Sequence, residues 1–99
     1  MKYAFYKRPR EKKTSPPPLT SAQIRAARAL IRWSAEDLAN HCPVSVTTVR
    51  RAELMPSATA LTRANDAVIR QALEKAGVEF IDENGGGPGV RLKAPSVLK

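Results

Sequence analysis

The sequence predicts a mainly α fold: a bundle of four helices followed by a C-terminal two-stranded β-hairpin. Three observations carry this expectation. Thr20, Ser34 and Ser45 each stand directly ahead of an apolar pattern of helical period. A fourth stripe of that period runs up to Gly77. Past Gly77 the period falls to two. The 99 residues are 42% hydrophobic and 26% charged, as expected of a chain that folds, but aromatics are only 5%, so the core must be built from Ala, Leu, Ile and Val.

Taken in order, residues 1–19 read as a disordered, basic, proline-rich arm. They carry Lys2, Lys7, Arg8, Arg10, Lys12 and Lys13 against Glu11, and Pro16-Pro17-Pro18 favours an extended spacer over a helix. The segment fits an arm that follows a polyanion, and equally a terminus whose lysines keep the chain in solution. Residues 20–77 are expected to form one helical domain. Thr20 and Gln23 have capping-box spacing, with Leu19 and Ile24 as a hydrophobic staple, so a first helix should run from Ser21 to Arg32. Ile24, Ala27, Leu30 and Ile31 make its apolar stripe, and Arg25, Arg28 and Arg32 a basic one beside it.

Ser34 and Asp37 repeat the capping box, with Trp33 and Leu38 as staple, for a short helix from Ala35 to His41. Cys42-Pro43-Val44 breaks it, because proline disfavours helix at the residue before it. Ser45 caps a third helix from Val46 to Leu54, which stops before Pro56. A fourth starts between Ser57 and Thr62, with Leu61, Ala64, Val68, Ile69, Ala72, Leu73 and Ala76 as its apolar stripe. It ends at Gly77, which suits the left-handed position past a helix end. In residues 78–94, Val78 and Phe80 alternate with Glu79 and Ile81, Val90 and Leu92 alternate with Arg91 and Lys93, and the glycine-rich run 82–89 joins them as a hairpin. An isolated hairpin is marginal in water, so this one must pack on the fourth helix or pair with a second subunit. Residues 95–99 read as a flexible tail.

Charge and cysteine content narrow the function. The net charge is +8, of which residues 1–20 hold +5, and this puts a polyanion first among partners. No run approaches the roughly 20 apolar residues of a membrane span. The single Cys42 excludes an intrachain disulfide and a multi-cysteine zinc site, and it suggests a reducing compartment. Enzyme readings fail on their residues. His41 and Cys42 are neighbours about 100° apart on a helix, and there is no other His to act as base. The Gly85–Gly89 run lacks the Lys-Ser/Thr of a phosphate loop and opens no helix. Neither a catalytic constellation, a metal site nor a cofactor site is expected.

Two short capped helices joined by a tight break have the geometry of a helix-turn-helix, in which the second helix enters the major groove of DNA. At 100° per residue, Val49 and Ala52 of the third helix face Leu38 and Ala39. Val46, Thr47, Arg50 and Arg51 cluster on the opposite face. Arginines, hydroxyls and methyls can meet guanine edges, phosphates and thymine methyls.

The run Trp33–Glu53 resembles the lambda-repressor-like (XRE-type) helix-turn-helix of bacterial transcriptional regulators. Ser34, Leu38-Ala39, Val44-Ser45, Val49 and Glu53 stand at that family's positions. Arg-Ala-Ala-Arg-Ala-Leu at 25–30 and Gly-Val-Glu-Phe-Ile-Asp-Glu-Asn-Gly-Gly-Gly-Pro-Gly-Val at 77–90 resemble the opening and ending of small regulators of this type, so the resemblance covers roughly residues 20–93. It implies base contacts from Val46, Thr47 and Arg51, phosphate contacts near Ser34, Ser45 and Arg50, with Thr48 in the same DNA-binding set, and a buried ion pair between Arg28 and Glu53. The family's usual turn glycine is Pro43 here, implying a wider or differently bent turn. Its usual glutamine at the start of the second helix is Ala35, which leaves only the helix amides for that phosphate. The resemblance implies a DNA-binding transcriptional regulator, a homodimer on double-stranded DNA, in the bacterial cytoplasm and on the nucleoid when bound. The alternative is an antitoxin-type or adaptor protein whose core binds DNA while the hairpin binds a protein.

Overall fold

The computed structural model describes residues 16–94, and the expectations for residues 1–15 and 95–99 lie outside them. Among the described residues the chain is mainly helical. Helices α1 (Ser21–Ile31), α2 (Ala35–Asn40), α3 (Val46–Leu54) and α4 (Arg63–Lys75) precede strands β1 (Val78–Ile81) and β2 (Gly89–Leu92). The strands pair antiparallel, with Val78 opposite Leu92 and Phe80 opposite Val90, so these four side chains share one face. No helix among the described residues is long and apolar enough to cross a membrane.

The helix starts follow local chemistry. Thr20 accepts from the Gln23 amide while the Gln23 side chain accepts from the Thr20 amide, and Ser34 and Asp37 do the same for α2. Ser45 accepts from the Thr48 amide. The cap of α4 is Thr62, at the far end of the expected window, so Leu61 precedes that helix and Ala64 is exposed. The buried stripe of α4 is therefore Ile69, Ala72 and Leu73. Gly77 follows α4 with φ 111°. A side chain is strained at that angle, which accounts for glycine there. On α1, Leu30 is exposed and Ile31 alone of the pair packs on the core. Arg32 ends α1 in the left-handed region at φ 60°.

The turn between α2 and α3 bends tightly at Pro43. The Val44 amide donates to the Cys42 carbonyl at 2.8 Å, closing a three-residue turn around Pro43. An inverse γ-turn of this kind needs a central φ near −75°, close to the angle that a proline ring imposes.

The core comprises Leu19, Ile24 and Ala27, then Leu38, Val44, Val49 and Ala52, then Ile69, Leu73 and Val78, so every element contributes to one cluster except β2, whose Val90 packs on its edge. The disordered arm expected over 1–19 is corrected at its C-terminal end. Leu19 is 1% exposed, and burying a leucine fully contributes roughly 1.5–3 kcal/mol. Its amide donates to Asp66 Oδ1 at 2.9 Å, and Arg70 of α4 donates to the Pro17 carbonyl at 2.8 Å. The segment 16–19 is thus a strap on α4.

The hairpin lies on its own chain. Phe80 and Val90 pack against the core, and the Arg70 guanidinium sits 5.2 Å from the centre of the Phe80 ring. The buried Gln23 ties the hairpin to α1, with Nε2 donating to the Gly89 carbonyl at 3.1 Å and to the Ile81 carbonyl at 3.4 Å. One amide thereby closes the α1 cap with its oxygen and holds both strands with its nitrogen. Replacing Gln23 with Ala should cost about 1–3 kcal/mol, since the carbonyls it leaves are partly buried. Gln23→Glu should restore the cap but not the hairpin contact. Urea denaturation followed with both variants checks this, and a parental midpoint for Gln23→Ala would show that the amide carries no stability.

Candidate nucleic-acid interface

The site is built around α3, which packs on α2 and α1 through Val49 and Ala52, both buried. That contact is small, and a charged clamp supplements it. Glu53 is 9% exposed and Arg28 of α1 is 21% exposed. Arg28 Nε donates to Glu53 Oε2 at 2.6 Å, and Nη2 to Oε1 at 2.7 Å, a bidentate fork. The third nitrogen, Nη1, donates to the Trp33 carbonyl at 2.9 Å, so one side chain links α1, the entry to α2, and the last turn of α3. Hydrogen bonding to Glu53 raises the Arg28 pKa above its ordinary value, against the opposing effect of burial. Arg25 adds a bond to the Glu53 carbonyl. The ion pair implied for Arg28 and Glu53 is formed, and the contacts of Arg25 and of Arg28 with carbonyls were not legible from side-chain spacing.

Among the residues expected to face DNA, Thr47, Arg50, Arg51, Ser34 and Ser45 are exposed, while Val46 and Thr48 are half-buried. Val46 therefore departs from the expected outward face: it packs against the core cluster. The exposed polar face of α3 is narrower than the projection suggests and consists of Thr47, Arg50 and Arg51, with Leu54 exposed at the helix end. Both serines are engaged as caps. Ser34 Oγ accepts from the Asp37 amide at 3.0 Å, and Ser45 Oγ accepts from the Thr48 amide at 3.1 Å while donating to Thr48 Oγ1 at 2.9 Å.

The first turn of α2 differs from the expectation that its amides are left for a phosphate. Asp37 accepts from the Ser34 amide at 2.9 Å, and this bond is the main cause that holds its carboxyl below the usual range. Glu36 is also held low, chiefly by its own backbone amide, with the Arg50 guanidinium adding to the effect. Glu36 and Arg50 form an ion pair across α2 and α3. Fourteen residues separate them, and no spacing rule connects such a pair. Two carboxylates thus already occupy the terminus expected to hold an anion.

His41 and Cys42 do not act together. The His41 ring stacks on Trp33 with centroids 4.1 Å apart, and its Nδ1 lies 2.7 Å from the Asp37 carbonyl. Cys42 points its sulfur at the Leu38 carbonyl, and burial pushes its thiol pKa up, away from the reactive thiolate. Among the described residues no group of three His, Cys, Asp or Glu side chains is placed to hold a metal ion.

Glu53→Ala should destabilise the fold by about 3 kcal/mol, because it leaves Arg28 partly buried without its carboxylate. Glu53→Gln keeps one acceptor and should lose less. Thermal or urea melts of the two variants test the ranking, and equal melting of Glu53→Ala and the parent would show that the clamp carries no stability. No family model, curated protein or solved structure matches the chain.

Proposed function

We propose that the protein is a sequence-specific transcriptional regulator of the lambda-repressor-like class, whose α2 and α3 form a helix-turn-helix that places α3 in the major groove of double-stranded DNA. The observation that best supports this reading is the exposed pair Thr47 and Arg51 on a helix clamped from behind by Arg28 and Glu53. A readout helix needs that combination of a chemically varied outer face and a rigid mounting. Base-edge recognition is geometric and fails when side chains wander. Thr47 and Arg51 serve as base readers in this scheme, Val46 presents its methyls from the edge of the face, and Ser34, Ser45 and Thr48 line the approach of the backbone. No catalytic role is assigned.

A homodimer in the cytoplasm fits this function, since two-fold operators present half-sites about 34 Å apart. A dimer formed by pairing hairpins would use their backbone edges, since Phe80 and Val90 are already engaged with their own chain. In an antitoxin or adaptor role the hairpin would offer a partner its outer face, which carries the Glu79–Arg91 pair.

Selection of bound sequences from a random duplex pool tests the proposal. It should enrich one motif, and a folded protein that enriches none would overturn it. Arg51→Ala should weaken binding to that motif by about 1–3 kcal/mol and relax the preference at one base pair. An unaltered preference would take Arg51 out of the reading set.

The strap sets where the basic segment should be cut. Deleting residues 1–15 leaves Pro16–Leu19 in place while removing all six cations of the arm. If the arm tracks DNA, the slope of log affinity against log salt should become shallower by about 0.9 for each phosphate that the arm had neutralised. The ratio of specific to random binding should hold, as phosphate contacts carry no sequence information. An unaltered slope would identify the segment as a solubilising terminus.

A further inference from the structure

We infer that Glu36 is a positioning residue that withholds Arg50 from the DNA backbone, so that this arginine adds no cation to phosphate binding. The inference rests on the DNA-binding reading above and deepens it. Arg50 projects from the exposed face of α3 toward the first turn of α2, where its Nη2 pairs with Glu36 Oε2. Both side chains are 56% exposed, and so reach the surface that a duplex would approach.

An exposed ion pair is weak by itself and would ordinarily yield to a phosphate. Here the surroundings oppose the exchange. Glu36 stands on the first turn of α2, and Asp37 is ionised beside it on the Ser34 amide, so two like charges face any phosphate that approaches there. If Arg50 moved to a phosphate, it would leave Glu36 without its counter-ion close to that phosphate, with Asp37 a second negative charge nearby. Arg50 therefore stays with Glu36, and the backbone near α2 meets a surface on which Asp37 leaves a net negative charge. Such an arrangement lowers affinity for every duplex alike and leaves discrimination to Thr47 and Arg51.

The test is Glu36→Gln in the full chain, with binding to a random-sequence duplex measured across salt concentrations. Glu36→Gln should melt with the parent, as expected of a surface change. It should bind random duplex roughly three- to tenfold more tightly at low salt, with a slope of log affinity against log salt steeper by about 0.9, the increment for one further phosphate neutralised. Glu36→Ala, which removes the acceptor as well as the charge, should go at least as far. In the double variant with Arg50→Ala the slope should return to that of Arg50→Ala alone. Weaker binding by Glu36→Gln would mean that Glu36 aims Arg50 at the DNA, and an unaltered slope would mean that the pair is immaterial; either overturns the inference while the DNA-binding reading stands. A folded parent that binds no duplex at low salt overturns both.

Discussion

The bidentate contact between Arg28 and Glu53 is the constraint on which the arrangement of α1, α2 and α3 depends. Helix α3 has nine residues, a length of about 14 Å, and it offers the core only Val49, Ala52 and the half-buried Val46. Contacts with an alanine and a valine leave the rotation of so short a helix about its axis loosely determined. A planar guanidinium gripping both carboxylate oxygens does not, because the fork is lost on a small rotation. Desolvating the two charges offsets much of their attraction, so the pair contributes orientation more than net stability. The third nitrogen of Arg28 extends the same control to the Trp33 carbonyl, directly ahead of the α2 cap.

What could be read from the sequence was what is decided within four residues. The starts of α1, α2 and α3 fall where Thr20, Ser34 and Ser45 stand, since a cap is a bond between a side chain and a backbone amide three places on. The start of α4 was less legible because Ser57, Thr59 and Thr62 all offer a hydroxyl. A distant contact removes Ser57 and a local one removes Thr59. The Ser57 carbonyl accepts from the amide and the hydroxyl of Ser21, Ala58 bridges Thr20, and the buried Thr59 takes the Leu61 amide. The strap followed the same rule. Three prolines describe an extended segment whether free or docked, and only Asp66 and Arg70, some fifty residues on, hold it to α4.

The candidate site divides along the same line. Projection at 100° per residue placed Thr47, Arg50 and Arg51 outward, but it treated α3 as a free cylinder and so missed Val46, which the tight turn at Pro43 leaves against the core. The clamp was accessible only through resemblance, as nothing in the 25-residue separation of Arg28 and Glu53 brings them together. The Glu36–Arg50 pair was accessible by neither route. The acidic first turn of α2 was visible in the sequence, yet acids there are ordinary helix chemistry; their bearing on α3 emerges once the two helices are packed.

The distribution of charge then separates affinity from discrimination. The described residues 16–94 hold ten basic and eight acidic side chains, a net of only +2 out of +8. Several of those cations face carboxylates: Arg28 meets Glu53, Arg50 meets Glu36, and Arg91 meets Glu79. A folded body so nearly neutral has little general attraction for a polyanion. In the proposed function, an arm that tracks DNA would supply the long-range attraction from the basic residues that precede Pro16, while the body supplies a rigid α3 with few charges committed to phosphate. A regulator divided in this way gains selectivity, because each cation that touches phosphate raises affinity for every sequence equally. Arg51 then matters out of proportion to its charge: of the two arginines of α3 it is the one with no carboxylate partner among the described residues, and in the proposed function its donors are the ones offered to a base.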